Sequence, residues 1–205
     1  MITNNFIQKK YLSKKNNKRL TEQLKNHFKK ISIETEKEKS FFNLLSKNFK
    51  YNFNVKELRR FKRFKEIAII GMGGSILGSE AIYEFLQPKI KKKFFFFDDL
   101  DTSKISKFKK NSNLKKTLFI VISKSGNTIE TLSNFFFINF LNKFKKNIII
   151  ISEKKDNKLY LIAKKFNLFH IEHKSYIGGR FSVLSEVGIV PAYLMGINIS
   201  KIRKK

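Results

Sequence analysis

Three stretches of the chain combine residue types able to hold and stabilise an anion. Ser123-Lys124-Ser125-Gly126-Asn127-Thr128-Ile129-Glu130-Thr131 sets the hydroxyls of Ser123, Ser125 and Thr128 around one glycine and beside a lysine. Gly126 permits a turn with φ above zero, and Asn127 with Glu130 three residues later predicts a capping-box-like helix start. Unpaired N–H groups at such a start, together with converging hydroxyls, suit a phosphate. Gly71-Met72-Gly73-Gly74-Ser75-Ile76-Leu77-Gly78 follows the same logic: the glycines let a ligand approach the main chain closely, and Ser75 either caps a helix or meets a ligand oxygen. In Gly178-Gly179-Arg180-Phe181-Ser182-Val183-Leu184-Ser185, an arginine after two glycines suits bidentate contact with a phosphate or a developing oxyanion. Taken singly, each has a plainer reading, as hydroxyls satisfying backbone groups or as a surface arginine.

The flanking residues predict the elements that position these stretches. Ile67-Ala68-Ile69-Ile70 runs into the first glycine turn and Leu118-Phe119-Ile120-Val121-Ile122 into the serine turn, both reading as parallel strands buried on two faces. Phe94 to Phe97, Ile148 to Ile151 and Leu168 to Ile171 give three more strands. Helices are predicted through Leu86 to Pro88, over Ile105 and Phe108 behind an Asp101 cap, from Thr128 to about Phe144, and from Asp156 to Phe166. Strands alternating with helices predict a doubly wound α/β fold, in which ligands bind beyond the carboxyl ends of the strands.

Residues 1–65 read as an N-terminal helical extension covering the sheet. They hold a stripe of Leu20, Leu24, His27 and Phe28, a short helix at Phe41 to Leu45, and a third helix capped by Asn54 and running over Leu58, Phe61 and Phe64. His27 on the apolar side predicts a core or rim role. Val187 to Ile199 is apolar nearly all round, so it must be buried, and little chain remains to bury it.

Two nucleotide readings compete and fall short. A dinucleotide fingerprint needs a third glycine where Ile76 stands, and no Gly-Lys-Ser/Thr completes a Walker loop. An acidic residue after the second strand, among Asp98, Asp99 and Asp101, would suit a ribose, but Asp101 serves equally as a helix cap.

The net charge of +28 would ordinarily suggest nucleic acid. Here lysine is spread along the whole chain beside abundant Phe, Ile and Asn, residues that share A/T-rich codons, and no arginine cluster or nucleic-acid motif is present. No specific nucleic-acid partner is therefore expected. The chain has no cysteine, which removes disulfides and thiolate metal sites and accords with a cytoplasmic location. Met1 to Lys18 has no continuous apolar core, and no run of 18 apolar residues occurs, so neither a secretory signal nor a membrane span is expected.

The three motifs, in this order, closely resemble glucose-6-phosphate isomerases over roughly residues 65–200. The resemblance implies a three-layer αβα fold of the sugar-isomerase (SIS) type with a five-stranded parallel sheet, residues 66–205 forming the phosphosugar-binding domain and a second SIS domain missing. It implies a phosphorylated hexose substrate held by Ser123, Lys124, Ser125 and Thr128, sugar contacts from Gly74 and Ser75, and Arg180 as the catalytic group stabilising an enediolate. No cofactor and no metal is implied. Many family members carry Thr-Phe-Thr-Thr where this chain has Ser125-Gly126-Asn127-Thr128, a form shared with related sugar-phosphate-binding domains. The family's proton-transferring Glu, ring-opening His and C-terminal Lys are expected beyond residue 205, and Glu172, Glu186, His170 and His173 do not stand in the matching contexts. The resemblance thus implies glucose 6-phosphate to fructose 6-phosphate isomerisation by a longer, homodimeric enzyme, with this chain alone inactive. The alternative is a non-catalytic SIS module that binds sugar phosphates.

Overall fold

The computed structural model describes residues 14–138 and 145–202. The last part of the helix predicted from Thr128 to Phe144 thus lies outside the described residues. The chain divides into two compact units, one ending at Phe49 and the other beginning at Lys50.

Among its described residues, the first unit contains α1, Lys14–Glu36, and a 3-10 stretch, Phe41–Leu45. Ser40 starts the latter by accepting from the Phe42 N–H, and Asn43 Nδ2 donates to Thr35 O at 2.8 Å, tying it to the helix end. The predicted stripe forms but is not buried: Leu20, Leu24 and Phe28 are 42%, 48% and 50% exposed. His27, expected in a core or rim, is exposed as well, with Nδ1 bonded to Gln23 O at 2.7 Å. The reason is scale. This unit buries only Leu44 and Phe49 among its described apolar side chains, too few to cover a helix of 23 residues.

The second unit is built on one parallel sheet. Its strands are β1, Glu66–Gly71; β2, Lys93–Phe97; β3, Thr117–Ile122; β4, Ile148–Ser152; and β5, Phe169–Glu172. Their order is β2-β1-β3-β4-β5, so the winding direction reverses between β1 and β3. Leu118 to Ile122 are all 0% exposed, as a strand covered on both faces requires.

Alternation along each strand sorts the side chains into two layers. Ala68, Ile70, Phe119, Val121, Ile148 and Ile150 meet α4, Thr102–Asn111; α5, Ile129–Ile138; and α6, Lys158–Phe166. Ile67, Ile69, Leu118, Ile120, Ile122 and Ile149 meet α3, Leu77–Leu86, and α7, Glu186–Leu194. The segment containing α2, Val55–Leu58, and the 3-10 stretch Arg59–Arg63 adds Leu58, Phe61 and Phe64 to that second core, behind the predicted Asn54 cap. A short α8, Ile199–Ile202, ends the described chain.

The expectation that α7 lacks a covering surface within these residues is overturned. All nine of its residues are buried, with Val187, Val190, Tyr193 and Leu194 in the core beside Leu58 and Phe61. Pro191 offers no N–H to the Val187 carbonyl four residues back. Ser79 Oγ of α3 donates to that carbonyl instead, at 3.1 Å. Among the described residues, no helix is long and apolar enough to cross a membrane.

Candidate functional site

All three motifs sit at the carboxyl-end edge of the sheet, where the winding reverses. Gly71 pairs with Ile122 in the β1–β3 register, so the glycine turn and the serine turn leave the sheet side by side.

In the serine turn, Gly126 has φ +67° as expected. Ser123 is buried; its Oγ accepts from Gly126 N at 3.1 Å and bonds Thr128 Oγ1 at 2.9 Å. Ser125 Oγ, exposed, lies 3.5 Å from Ser123 Oγ and accepts from Asn127 N at 3.3 Å. Ser123 is thus the inner post of the turn, while Ser125 and the half-buried Thr128 form its outer face. The N–H groups at the start of α5 have no carbonyl four residues back within that helix and keep the partial positive charge of a helix start.

The expected capping role of Asn127 is overturned. Its Oδ1 accepts from Lys158 N at 3.0 Å, capping the start of α6 rather than its own helix. Lys124 is engaged too: its ammonium donates to Ser175 O at 2.6 Å and lies 3.8 Å from Glu153, which also pairs with Lys155. That strap joins the serine turn to the loop leading into the third motif.

The glycine turn contains a 3-10 stretch, Gly73–Ser75, and α3 begins with Ile76 as its uncapped first boundary, so Ser75 does not cap the helix. Ser75 is half-buried beside the open edge. Gly74 lies against the third motif so tightly that a Cβ there would come 2.7 Å from Arg180 N, and closer still to the Gly179 carbonyl. Ser182, buried in the 3-10 stretch Gly179–Leu184, donates to Gly74 O at 3.1 Å and to Gly179 O at 2.6 Å. The backbone of Arg180 is therefore fixed, while its guanidinium is exposed and has no carboxylate partner among the described residues.

The structure thus joins Ser123, Ser125 and Thr128 in one hydrogen-bonded turn, and Gly74 with Arg180 in one backbone contact. The Lys124 strap and the shared strand edge link the two groups. Residues that sequence reasoning left without a role include Ser182, Glu153 and Asn157. Ser182 stands inside the third motif, and Asn157 precedes a helical run as a cap would.

The titratable groups nearby are buried or half-buried and partly engaged. Burial pushes the His170 imidazole down to about 4, against the Ser152 hydroxyl that bonds its Nε2 at 3.0 Å. Burial also lowers the His173 pKa; Nδ1 bonds Lys174 O at 2.9 Å, and Nε2 is buried without a partner among the described residues. Glu186 is buried, which raises its carboxyl pKa, and Oε1 accepts from Asn52 N at 2.8 Å. A cavity of about 560 Å³ opens at the opposite edge of the sheet, between Arg63, Glu66, Lys115 and Asn147. It contains none of the motif residues.

Comparison with known proteins gives the family. The family model for phosphoglucose isomerase matches residues 12–202. A Methanococcus maripaludis protein described as a probable glucose-6-phosphate isomerase is 39% identical over 171 residues, 79% of this chain and 38% of that protein. A crystal structure of a glucose-6-phosphate isomerase from Chlamydia trachomatis superposes with TM-score 0.59 at 28% identity, over 67% of this chain and 28% of the other. A hypothetical protein from Thermus thermophilus shares the fold with TM-score 0.73 at 22% identity, over 91% of this chain and 47% of the other. The chain thus spans less than half the length of each of these proteins, and over nearly all of its own length it belongs to the phosphoglucose isomerase family.

Proposed function

We propose that this chain is the phosphate-holding half of an isomerase that interconverts glucose 6-phosphate and fructose 6-phosphate through an enediolate. The observation that carries the reading is that a hydroxyl-lined turn at a helix start leaves the sheet beside the glycine turn where the winding reverses, and that the glycine turn packs on the backbone of Arg180, which has no carboxylate partner among the described residues. The phosphate is held by Ser125, Thr128 and the free N–H groups of the turn, with Ser123 orienting Thr128 and Lys124 adding positive charge. Gly74 and Ser75 border the sugar. Arg180 faces the oxygen on which negative charge grows as a proton moves between adjacent carbons. A preorganised cation there lowers the transition state more than the ground state.

On the family resemblance, proton transfer and ring opening are assigned outside these residues, as is the dimer. Among the described residues, Asn52 N holds Glu186 Oε1 and Ser152 Oγ holds His170 Nε2, while Glu186 Oε2 is buried without a partner. A cytoplasmic location accords with the absence of cysteine.

Calorimetric titration with a hexose 6-phosphate tests the reading. Binding with a dissociation constant of roughly 1 μM to 1 mM is expected, weakened by Ser125→Ala, with no interconversion in a coupled assay of the chain alone. Absence of phosphosugar binding refutes the site, and turnover by the isolated chain refutes the division of labour.

A further inference from the structure

We propose that Asn157 is a positioning residue for the phosphate turn, acting from the loop between β4 and α6. This inference rests on the phosphosugar reading above. Asn157 is 2% exposed, and its amide is fully committed. Nδ2 donates to Glu153 O at 2.8 Å and Lys155 O at 3.2 Å, and Oδ1 accepts from Tyr160 N at 2.9 Å as the cap of α6. Its side chain fills the space beside Gly126. A Cβ on Gly126 would come 3.0 Å from Asn157 Cβ, and closer still to the amide carbon and oxygen.

The turn is fastened to the same helix start from both sides of this contact. Gly126 O accepts from Leu159 N at 3.1 Å, and Asn127 Oδ1 accepts from Lys158 N at 3.0 Å. Glu153, whose carbonyl Asn157 holds, donates its own N–H to Lys124 O at 3.0 Å. Asn157 therefore braces residues 124–127 against α6 and keeps Gly126 in its left-handed conformation at φ +67°. The Ser125 and Thr128 hydroxyls project from that turn, so their aim at a phosphate depends on a side chain that never touches the ligand. Donors held in advance need no ordering when the anion arrives.

The test is a double-mutant cycle on Gly126→Ala and Asn157→Ala, read as affinity for a hexose 6-phosphate and for inorganic phosphate, with thermal unfolding measured alongside. Asn157→Ala is expected to weaken both ligands by the same factor, about tenfold, the scale of one misaligned hydrogen bond to a charged group. Gly126→Ala alone is expected to lose phosphate binding. Adding Asn157→Ala takes the amide carbon and oxygen out of the path of that Cβ, leaving the 3.0 Å contact with Cβ, and is expected to return part of that binding; the readout that a purely structural role does not move is affinity lost by Asn157→Ala at a temperature well below its Tm. Asn127→Ala, an exposed change in the same brace, is expected to weaken phosphate severalfold in a folded protein and covers the case in which Asn157→Ala fails to fold. If the wild type binds phosphosugar and both Asn157→Ala and Asn127→Ala bind it equally well, the brace is refuted while the site stands. It is also refuted if the two Gly126 and Asn157 changes are merely additive. If the wild type binds neither ligand, the phosphosugar reading itself fails.

Discussion

Replacing Gly74 by alanine tests whether the first and third motifs form one rigid unit. The added Cβ would stand 2.7 Å from Arg180 N and nearer to the Gly179 carbonyl, all of them backbone atoms that no rotamer change can move aside. Ordinary contact begins near 3.4 Å, so clearing Arg180 N alone takes 0.7 Å, and clearing the nearer Gly179 carbonyl takes more. Overpacking of this kind costs about 1–3 kcal/mol. The same movement loosens the Ser182 hydroxyl from Gly74 O and Gly179 O, at 3.1 and 2.6 Å, adding about 1 kcal/mol. The expected loss is therefore about 2–4 kcal/mol, a Tm drop of about 4–16 °C for a chain of this size. Thermal unfolding measures it. Phosphate affinity reports the serine turn, and affinity for a phosphorylated sugar acid that mimics the enediolate reports Arg180. The second should fall more than the first, because the serine turn does not rest on Gly74. Gly179→Ala provides the contrast: a Cβ there meets nothing within 4 Å, so stability should stay within about 0.5 kcal/mol of wild type. Wild-type Tm and unchanged mimic affinity in Gly74→Ala would refute the proposed coupling.

Two further predictions concern protonation. The His170 pKa is pushed down to about 4 by burial, so the folded protein binds fewer protons than the unfolded chain between about pH 4 and the ordinary imidazole value of 6.5. Stability should rise with pH across that window and be lost on acidification through it, by about 1–2 kcal/mol once the partial exposure of the ring is allowed for; denaturant unfolding of wild type against His170→Gln should show the slope only in wild type. The Glu186 carboxyl, between Lys174 and Glu172, is shifted the other way by burial, so its contribution is present below the ordinary carboxylate range and is lost as pH rises. Glu186→Gln mimics the protonated form. It should raise Tm at pH 8, with the gain fading as pH approaches 4.5; a variant less stable than wild type at pH 8 would contradict the sign.

What was legible in the sequence is what local chemistry determines. Apolar runs such as Leu118 to Ile122 identified the strands, because a parallel strand covered on both faces has no polar side to show. Asn54 and Asp101 were legible as caps because each accepts from N–H groups two or three residues on. Asn127 was misread for the converse reason: the N–H it caps belongs to Lys158, 31 positions away, with α5, β4 and a loop between them. The burial of α7 was legible, but what covers it was not, because Ser79 stands 108 positions before the Val187 carbonyl it serves. The site divides the same way. The residue types proposed to face the ligand were visible as motifs, whereas the Ser182 bond to Gly74 and the close approach of Asn157 to Gly126 are long-range or steric facts that no spacing rule encodes.

Under the proposed function, that division has a consequence for catalysis. At the phosphate end, the turn is fixed from within by Ser123 and from behind by α6, so the anion meets donors that are already aimed. At the oxyanion end, the backbone of Arg180 is locked against Gly74, but its side chain is exposed and free of any carboxylate among the described residues. Ordering such a side chain costs about 1.5–2 kcal/mol of rotamer freedom. A neutral sugar oxygen offers a guanidinium little in return for that cost, while a developing enediolate oxygen offers a charge-assisted hydrogen bond. Ground-state affinity therefore falls mainly to the rigid turn, and the arginine is ordered chiefly as charge develops. That is the condition under which binding energy lowers the barrier rather than merely deepening the bound state.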